Sequence, residues 1–168
     1  TVDYFGDSYY QYEYDRRGRV VTETRLDTEK VPVEIHEYTY AKFNQVETHV
    51  VKDGKGNIKT SYVNEYMKKG ARTKLSVFDG DAKDGNLKLD YNGVALYKWS
   101  YTDRGKPVED SRHGTTQVVG VDGKQDYKLV NARDGWARIT TTYDDKGRII
   151  ATLNLKVDTE GRPLYQKA

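Results

Sequence analysis

Cysteine is absent from this chain of 168 residues, which excludes disulfides and leaves the redox compartment open. No apolar run reaches the roughly 18 residues that a membrane-crossing helix needs. An excess of one charge is also missing. The 28 Lys and Arg against 26 Asp and Glu leave a net +2, too little for a broad field toward nucleic acid or an anionic membrane. The opening TVDYFGDSYY has neither a basic start nor an apolar stretch, so no signal peptide is expected in it. Helix signals are scarce. YVNEYMKKG, residues 62–70, has a helix-like composition ahead of a Gly, but Tyr62, Asn64 and Tyr66 alternate as in a strand, and the strand reading is preferred.

What the chain does have is rings. Fifteen Tyr accompany a hydrophobic fraction of only 36% and a mean hydropathy of -0.91. Such a composition suits a fold with much surface for its volume, in which half of each element faces water.

One phrase recurs: YDRRGRV at Tyr14–Val20, YTDRGKPV from Tyr101 and TTTYDDKGRII from Thr140. Asp15 can accept backbone N–H bonds from the residues ahead of it, and Gly18 can take the left-handed conformation that other residues resist. That is a type I turn with a G1 bulge, a three-residue hairpin loop. Counting outward puts Tyr14, Tyr12 and Tyr10 opposite Val20, Thr22 and Thr24 on one face. Gly105 aligns Tyr97, Trp99 and Tyr101 in the same way. Gly147 aligns Ile139, Thr141 and Tyr143 against Ile149, Ala151 and Leu153. Gly161 follows, so the strand between these two turns is shared and the hairpins form a meander. Gly56 and Asn44 close weaker copies, Asn being a substitute where φ must be positive. Asn92-Gly93 and Asp122-Gly123 read as two-residue type I′ turns.

The strands so marked number about 12 to 14, at a spacing of about 12 to 14 residues, which argues for one all-β domain over residues 1–168. The expected architecture is an antiparallel up-and-down meander. It is expected to close or fold over as a barrel or sandwich, because closure hides the apolar face and the edges; a coiled open sheet is the alternative. The expected core is Ile58, Tyr62, Val77, Leu87, Leu89, Leu96, Trp99, Val118, Leu129, Ile139, Leu153 and Leu155.

Tyr14-Asp15-x-x-Gly18-Arg19 and Tyr143-Asp144-x-x-Gly147-Arg148 resemble the Tyr-Asp repeat of Rhs-type proteins, and Asp158-x-x-Gly161-Arg162 keeps all but the Tyr. Similar phrases occur in secreted and envelope proteins of Bacteroides-like bacteria, whose size this chain fits better. The resemblance covers about half the chain and implies hairpin geometry and a secreted or cell-envelope location (periplasm or surface). Thr102 in place of Asp, Lys42-Phe43-Asn44 in place of x-x-Gly, and Pro107 depart from the pattern.

Candidate chemistry is sparse. His36 shares a face with Tyr38 and Tyr40 while His49 should point to the other, so the two are poor partners for one metal, and His113 reads as an ordinary sheet histidine. Asp79, Asp81 and Asp84 in DGDAKDGN could offer oxygens to calcium, with Asp90 in the place of a last ligand. Lys83, however, stands where a ligand belongs and the Gly is misplaced for an EF-hand. No spacing selects a carboxylate pair, and no nucleophile elbow or phosphate loop is present. The rows Tyr10-Tyr12-Tyr14 and Tyr97-Trp99-Tyr101 could stack on sugars or protein, or could simply form the core face.

The expected function is therefore a non-catalytic secreted or envelope β module, structural or binding through its Tyr-rich face. Its expected partner is a glycan or another envelope protein, not nucleic acid, with no cofactor and no metal. The rival readings are a small barrel enzyme or ligand carrier with an interior site, and a section of a larger repeat shell.

Overall fold

The computed structural model describes residues 9–164. The opening stretch read for a leader lies, through position 8, outside the described residues. Twelve strands follow in order: β1 (Tyr9–Tyr14), β2 (Val20–Leu26), β3 (Pro32–Tyr40), β4 (Val46–Asp53), β5 (Ile58–Tyr66), β6 (Arg72–Asp79), β7 (Leu96–Tyr101), β8 (Pro107–Val119), β9 (Gln125–Leu129), β10 (Arg138–Tyr143), β11 (Ile149–Val157) and β12 (Pro163–Leu164). No α-helix occurs among the described residues, and the 62–70 stretch is strand through Tyr66.

The strands form one antiparallel sheet in which each pairs with its chain neighbour from β1 to β8. The long β8 then pairs with β9 near its far end and with β10 near its start, and the path continues through β11 to β12. The meander is as expected; closure is not. Among the described residues β1 pairs only with β2 and β12 only with β11, so the sheet does not form a barrel. A closed barrel needs side chains to fill its interior. Only seven hydrophobic residues are buried here, and Ala95, Ala132 and Ala137 are three of them.

By contacts the chain divides into two compact units, one running to Asn64 with Phe78–Asn86 added, the other holding Glu65–Val77 and everything from Leu87. All seven buried hydrophobic residues belong to the second unit: Val77, Val94, Leu96, Val157 and the three alanines. The described part of the first unit buries only Ser61 and Asn64, and Ser61 Oγ donates to the Gly80 carbonyl at 2.7 Å. Of the expected core, Val77 and Leu96 are buried; Leu89, Val118 and Leu153 are exposed and the rest lie half-buried.

One loop builds nearly every corner. In each copy the N–H of its first residue donates to the carbonyl four residues on, and the N–H of the fourth returns to the carbonyl of the first. The copies start at Asp15, Asp27, Asp53, Met67, Asp90, Thr102, Gly120, Ala132, Asp144 and Asp158. The two expected type I′ turns are corrected by this pattern. Gly93 and Gly123 have positive φ but Asn92 and Asp122 do not, and each Gly ends the same three-residue loop as Gly18. Where the first residue is Asp, its side chain clamps the loop. Asp15 Oδ1 accepts from the N–H of Arg17 and Arg19, and Oδ2 takes the Arg19 Nε at 2.7 Å. Arg148 and Arg162 return to Asp144 and Asp158 in the same way. The Asp-x-x-Gly-Arg phrase is thus one hydrogen-bonded unit.

The tyrosine before the loop has its own work. The hydroxyls of Tyr40, Tyr101 and Tyr143 donate to the carbonyls of Val20, Arg72 and Pro107, each the first residue of the adjoining strand. Arg19 lies 4.4 Å over the Tyr40 ring and Lys106 lies 5.3 Å over that of Tyr143. Ring and cation come from loops of the same phrase.

A second irregularity accompanies the loops and overturns the expected register. Tyr14 pairs with Val20 as read, but Glu13 pairs with Thr22 and Tyr12 with Glu23, leaving Val21 unpaired. The same skip falls at Val33, Glu47, Lys59, Val108 and Ile150, each three residues after the loop's positive-φ residue. Each skip is a β-bulge, and one extra residue transfers the rest of the strand to the opposite face. Thr22 and Thr24 therefore face away from the Tyr10–Tyr14 row, Ile139 pairs with Asn154, and Leu153 pairs with Thr140.

Candidate functional site

The bulges gather a field of rings on one face of the first unit. Tyr10, Tyr12 and Tyr14 stand along β1 with centroids 6.5 and 6.4 Å apart. Tyr12 pairs with Glu23, Glu23 with His36, Tyr38 with His49, and His49 with Tyr62, so the face runs across five strands. Within it Tyr38 and His49 stack at 4.7 Å and 15°, and His49 and Tyr62 at 5.2 Å and 15°. The expectation that His36 and His49 point apart is corrected, because the bulge at Glu47 turns His49 onto the His36 face.

His36 Nδ1 lies 2.8 Å from His49 Nε2, and His36 Nε2 lies 3.0 Å from Glu34 Oε1. The carboxylate accepts the Nε2 proton of His36. The proton between the rings is then donated by His49 when His36 is neutral, or by His36 when it is charged. Burial first, then the charge of His36, pushes His49 down to about 4. Glu34, His36 and His49 thus form a hydrogen-bonded line along the ring field, in which His49 stays neutral and His36 is the ring beside a carboxylate.

The face is most open at β1, where Tyr12 is 38% and Tyr14 60% exposed. Burial raises the Tyr12 hydroxyl above its ordinary value, with Glu23 adding to the effect, so this hydroxyl presents a donor across the neutral range. The other expected row is occupied from within. Tyr97 and Trp99 stack at 5.7 Å and 5°, Arg72 caps Trp99 at 4.5 Å, and Tyr101 is tied to the Arg72 carbonyl. Tyr97 donates to Asp90 at 2.7 Å, and burial together with that carboxylate pushes it up to about 12. The two rows are thus unlike: Tyr97, Trp99 and Tyr101 hold strands and a loop together, while Tyr12 and Tyr14 meet solvent.

Asp81 of the calcium candidate caps a short turn by accepting from Lys83 N–H, Asp79 closes β6, and Asp84 ends the turn. Among the described residues no three His, Asp or Glu side chains are grouped to hold an ion. No helix of the described residues is long and apolar enough to cross a membrane. No protein-family model and no curated protein matches the chain.

Proposed function

We propose that the chain is a module of a secreted or cell-envelope protein whose Tyr- and His-bearing face binds a glycan or another envelope protein without catalysis. The observation that carries this reading is the difference between equivalent tyrosines. Tyr40, Tyr101 and Tyr143 spend their hydroxyls on a neighbouring strand, whereas Tyr14 is exposed beside Tyr12 and continuous with the Tyr38–His49–Tyr62 stack. Rigid amphipathic rings interleaved with Glu23, Arg25 and Glu34 suit contact with an extended surface, since rings lose little freedom on binding. The envelope placement rests on the resemblance of the Tyr-Asp phrases.

Isotope-labelled chain titrated with a panel of soluble glycans tests the reading. Shifts confined to Tyr12, Tyr14 and Tyr38, weakened about tenfold or more in a Tyr12→Ala, Tyr14→Ala variant, are expected. Hydroxyl-radical footprinting in an envelope extract supplies the protein arm, with protection expected at the same rings. If neither glycan nor extract touches them, the reading fails.

Membership of a larger repeat shell is a second reading, favoured by β11. Its Ile149, Ile150 and Leu153 are exposed, and among the described residues its outer edge is paired only at Lys156 and Val157. Such an edge invites a further strand.

A further inference from the structure

The second unit carries a groove of about 440 Å³ over β6, β7, β8 and β10 whose floor holds Ser111 and His113. Both belong to β8, two residues apart, and so share a face. His113 Nδ1 lies 2.7 Å from the Tyr127 carbonyl oxygen, which can only accept, so Nδ1 carries the proton. Nε2 is then a lone pair, and Ser111 Oγ stands 3.2 Å from it as its donor. A hydroxyl, an imidazole in the base tautomer and an oxygen that fixes that tautomer are the parts of an activated nucleophile.

The charges around the dyad have an unusual order. Lys74 pairs directly with Lys98, Lys98 with Ser111, and Ser111 with Arg138, so three cations and the serine form one row across four strands. Like charges directly opposite on one face destabilise a sheet. Glu65 at 2.9 Å and Asp126 at 2.5 Å neutralise the two lysines. Arg138 is less well served. Its Nε is buried without a hydrogen-bond partner, and Glu109 stays 3.7 Å away. An N–H on the strand beside the serine is thus left without a protein acceptor.

We propose that Ser111 and His113 form an acyl-transfer site that hydrolyses short-chain carboxylic esters of polar alcohols. The charged walls select the polar alcohol, and the burial of Ser111 and His113, 2% and 4% exposed, leaves little room for a long acyl group beside the hydroxyl. Ser111 Oγ forms a bond to the ester carbonyl carbon while its proton passes to His113 Nε2. The displaced carbonyl electrons form an oxyanion, held by Arg138 Nε–H with Lys98 alongside. Collapse of that intermediate breaks the bond to the alcohol oxygen, which takes the proton from Nε2. Water then attacks the acyl-serine by the same steps, releasing the acid and restoring the hydroxyl. Burial holds His113 below its ordinary value, which keeps it a neutral base at pH 7.

The test is a fluorophosphonate probe followed by peptide mapping, with p-nitrophenyl acetate turnover in parallel. A single phosphonyl group on Ser111 is expected, absent in Ser111→Ala. His113→Gln should slow labelling and turnover by about 10²–10⁴-fold, with folding of each variant checked by circular dichroism. Val121→Ala, at an exposed loop position outside the groove, should leave labelling unchanged. No Ser111 adduct on the folded wild-type chain overturns the proposal, and so does acylation confined to lysines or a rate equal in His113→Gln. The wild-type result decides the matter even if a variant fails to fold.

Discussion

His36 Nδ1 and His49 Nε2 share one proton at 2.8 Å, and the two ring centroids lie 5.0 Å apart with their planes 20° apart. His49 titrates at about 4 in the fold against an ordinary 6.5. The unfolded chain therefore binds its proton first as pH falls. The stability linked to His49 is complete above about pH 6.5 and is lost as pH drops toward 4. Urea midpoints measured between about pH 7.5 and 4.5 should fall for the wild type and fall less for His49→Phe, which keeps the stack but cannot titrate. Equal slopes would show that His49 is not desolvated.

Acid should also open the loops. Hydrogen bonds from Arg19 hold the Asp15 carboxyl below its ordinary value; Asn57 does this for Asp53, Arg148 for Asp144 and Arg162 for Asp158. A depressed carboxylate contributes stability above its unfolded pKa, and that stability disappears as pH falls through the folded one. Replacing Asp144 and Asp158 by Asn keeps an oxygen for the backbone N–H groups but removes the charge facing Arg148 and Arg162. The variant should be less stable at pH 7 and should lose less further stability on acidification, followed by far-UV circular dichroism.

Two glycines separate backbone conformation from space. Gly18 has φ +76 with nothing within 4 Å of an added Cβ, so Gly18→Ala should cost only the left-handed penalty, about 1–2 kcal/mol, and Gly18→Asn less. At Gly54 an added Cβ would stand 1.9 Å from the Pro32 carbonyl oxygen. Gly54→Ala must push β3 and β4 apart and should cost more than Gly18→Ala in chemical denaturation. The reverse ranking would mean that the close approach of these strands is not maintained.

Arg112 is the cation most deeply committed to a corner. Nη1 reaches both Asp134 oxygens at 2.6 Å and the Trp136 carbonyl at 3.1 Å, while Nη2 reaches Asp110 at 3.2 Å. Arg112→Ala should destabilise by about 2–3 kcal/mol, the range for hydrogen bonds to charged groups left unmade. Arg112→Lys should recover only part of it, because an ammonium cannot fork between two carboxylates. Denaturant midpoints of the three proteins check the order.

The meander was legible because its corners are local. Asp15, Gly18 and Arg19 are chemically committed to one loop, and five neighbouring residues suffice to read it. The loop at Asp27 was not legible, because Lys30 there takes a positive φ that a glycine would have announced. Nor were the bulges. Nothing in Val21, Glu47 or Ile150 marks an unpaired residue, since the skip follows from how the loop joins the ladder. That one omission misplaced Thr22, His49 and Leu153 together. Closure failed for a different reason: alternation counts ring and aliphatic positions but not how few large side chains can be spared to fill an interior. The Ser111–His113 contact was hidden too, since its orienting carbonyl at Tyr127 belongs to the backbone of another strand.

The reach of each tyrosine across to the strand before it makes the sheet directional. Tyr40, Tyr101 and Tyr143 each hold the first carbonyl of the adjoining strand, and Tyr14 stands at the equivalent place on the first described strand with its ring exposed. A strand start is offered to such a ring as a basic residue followed by a carbonyl, as Arg19-Val20 is to Tyr40 and Lys106-Pro107 is to Tyr143. The same contact made backwards would find neither group in place, so each such link between neighbouring strands can be made in one sense only.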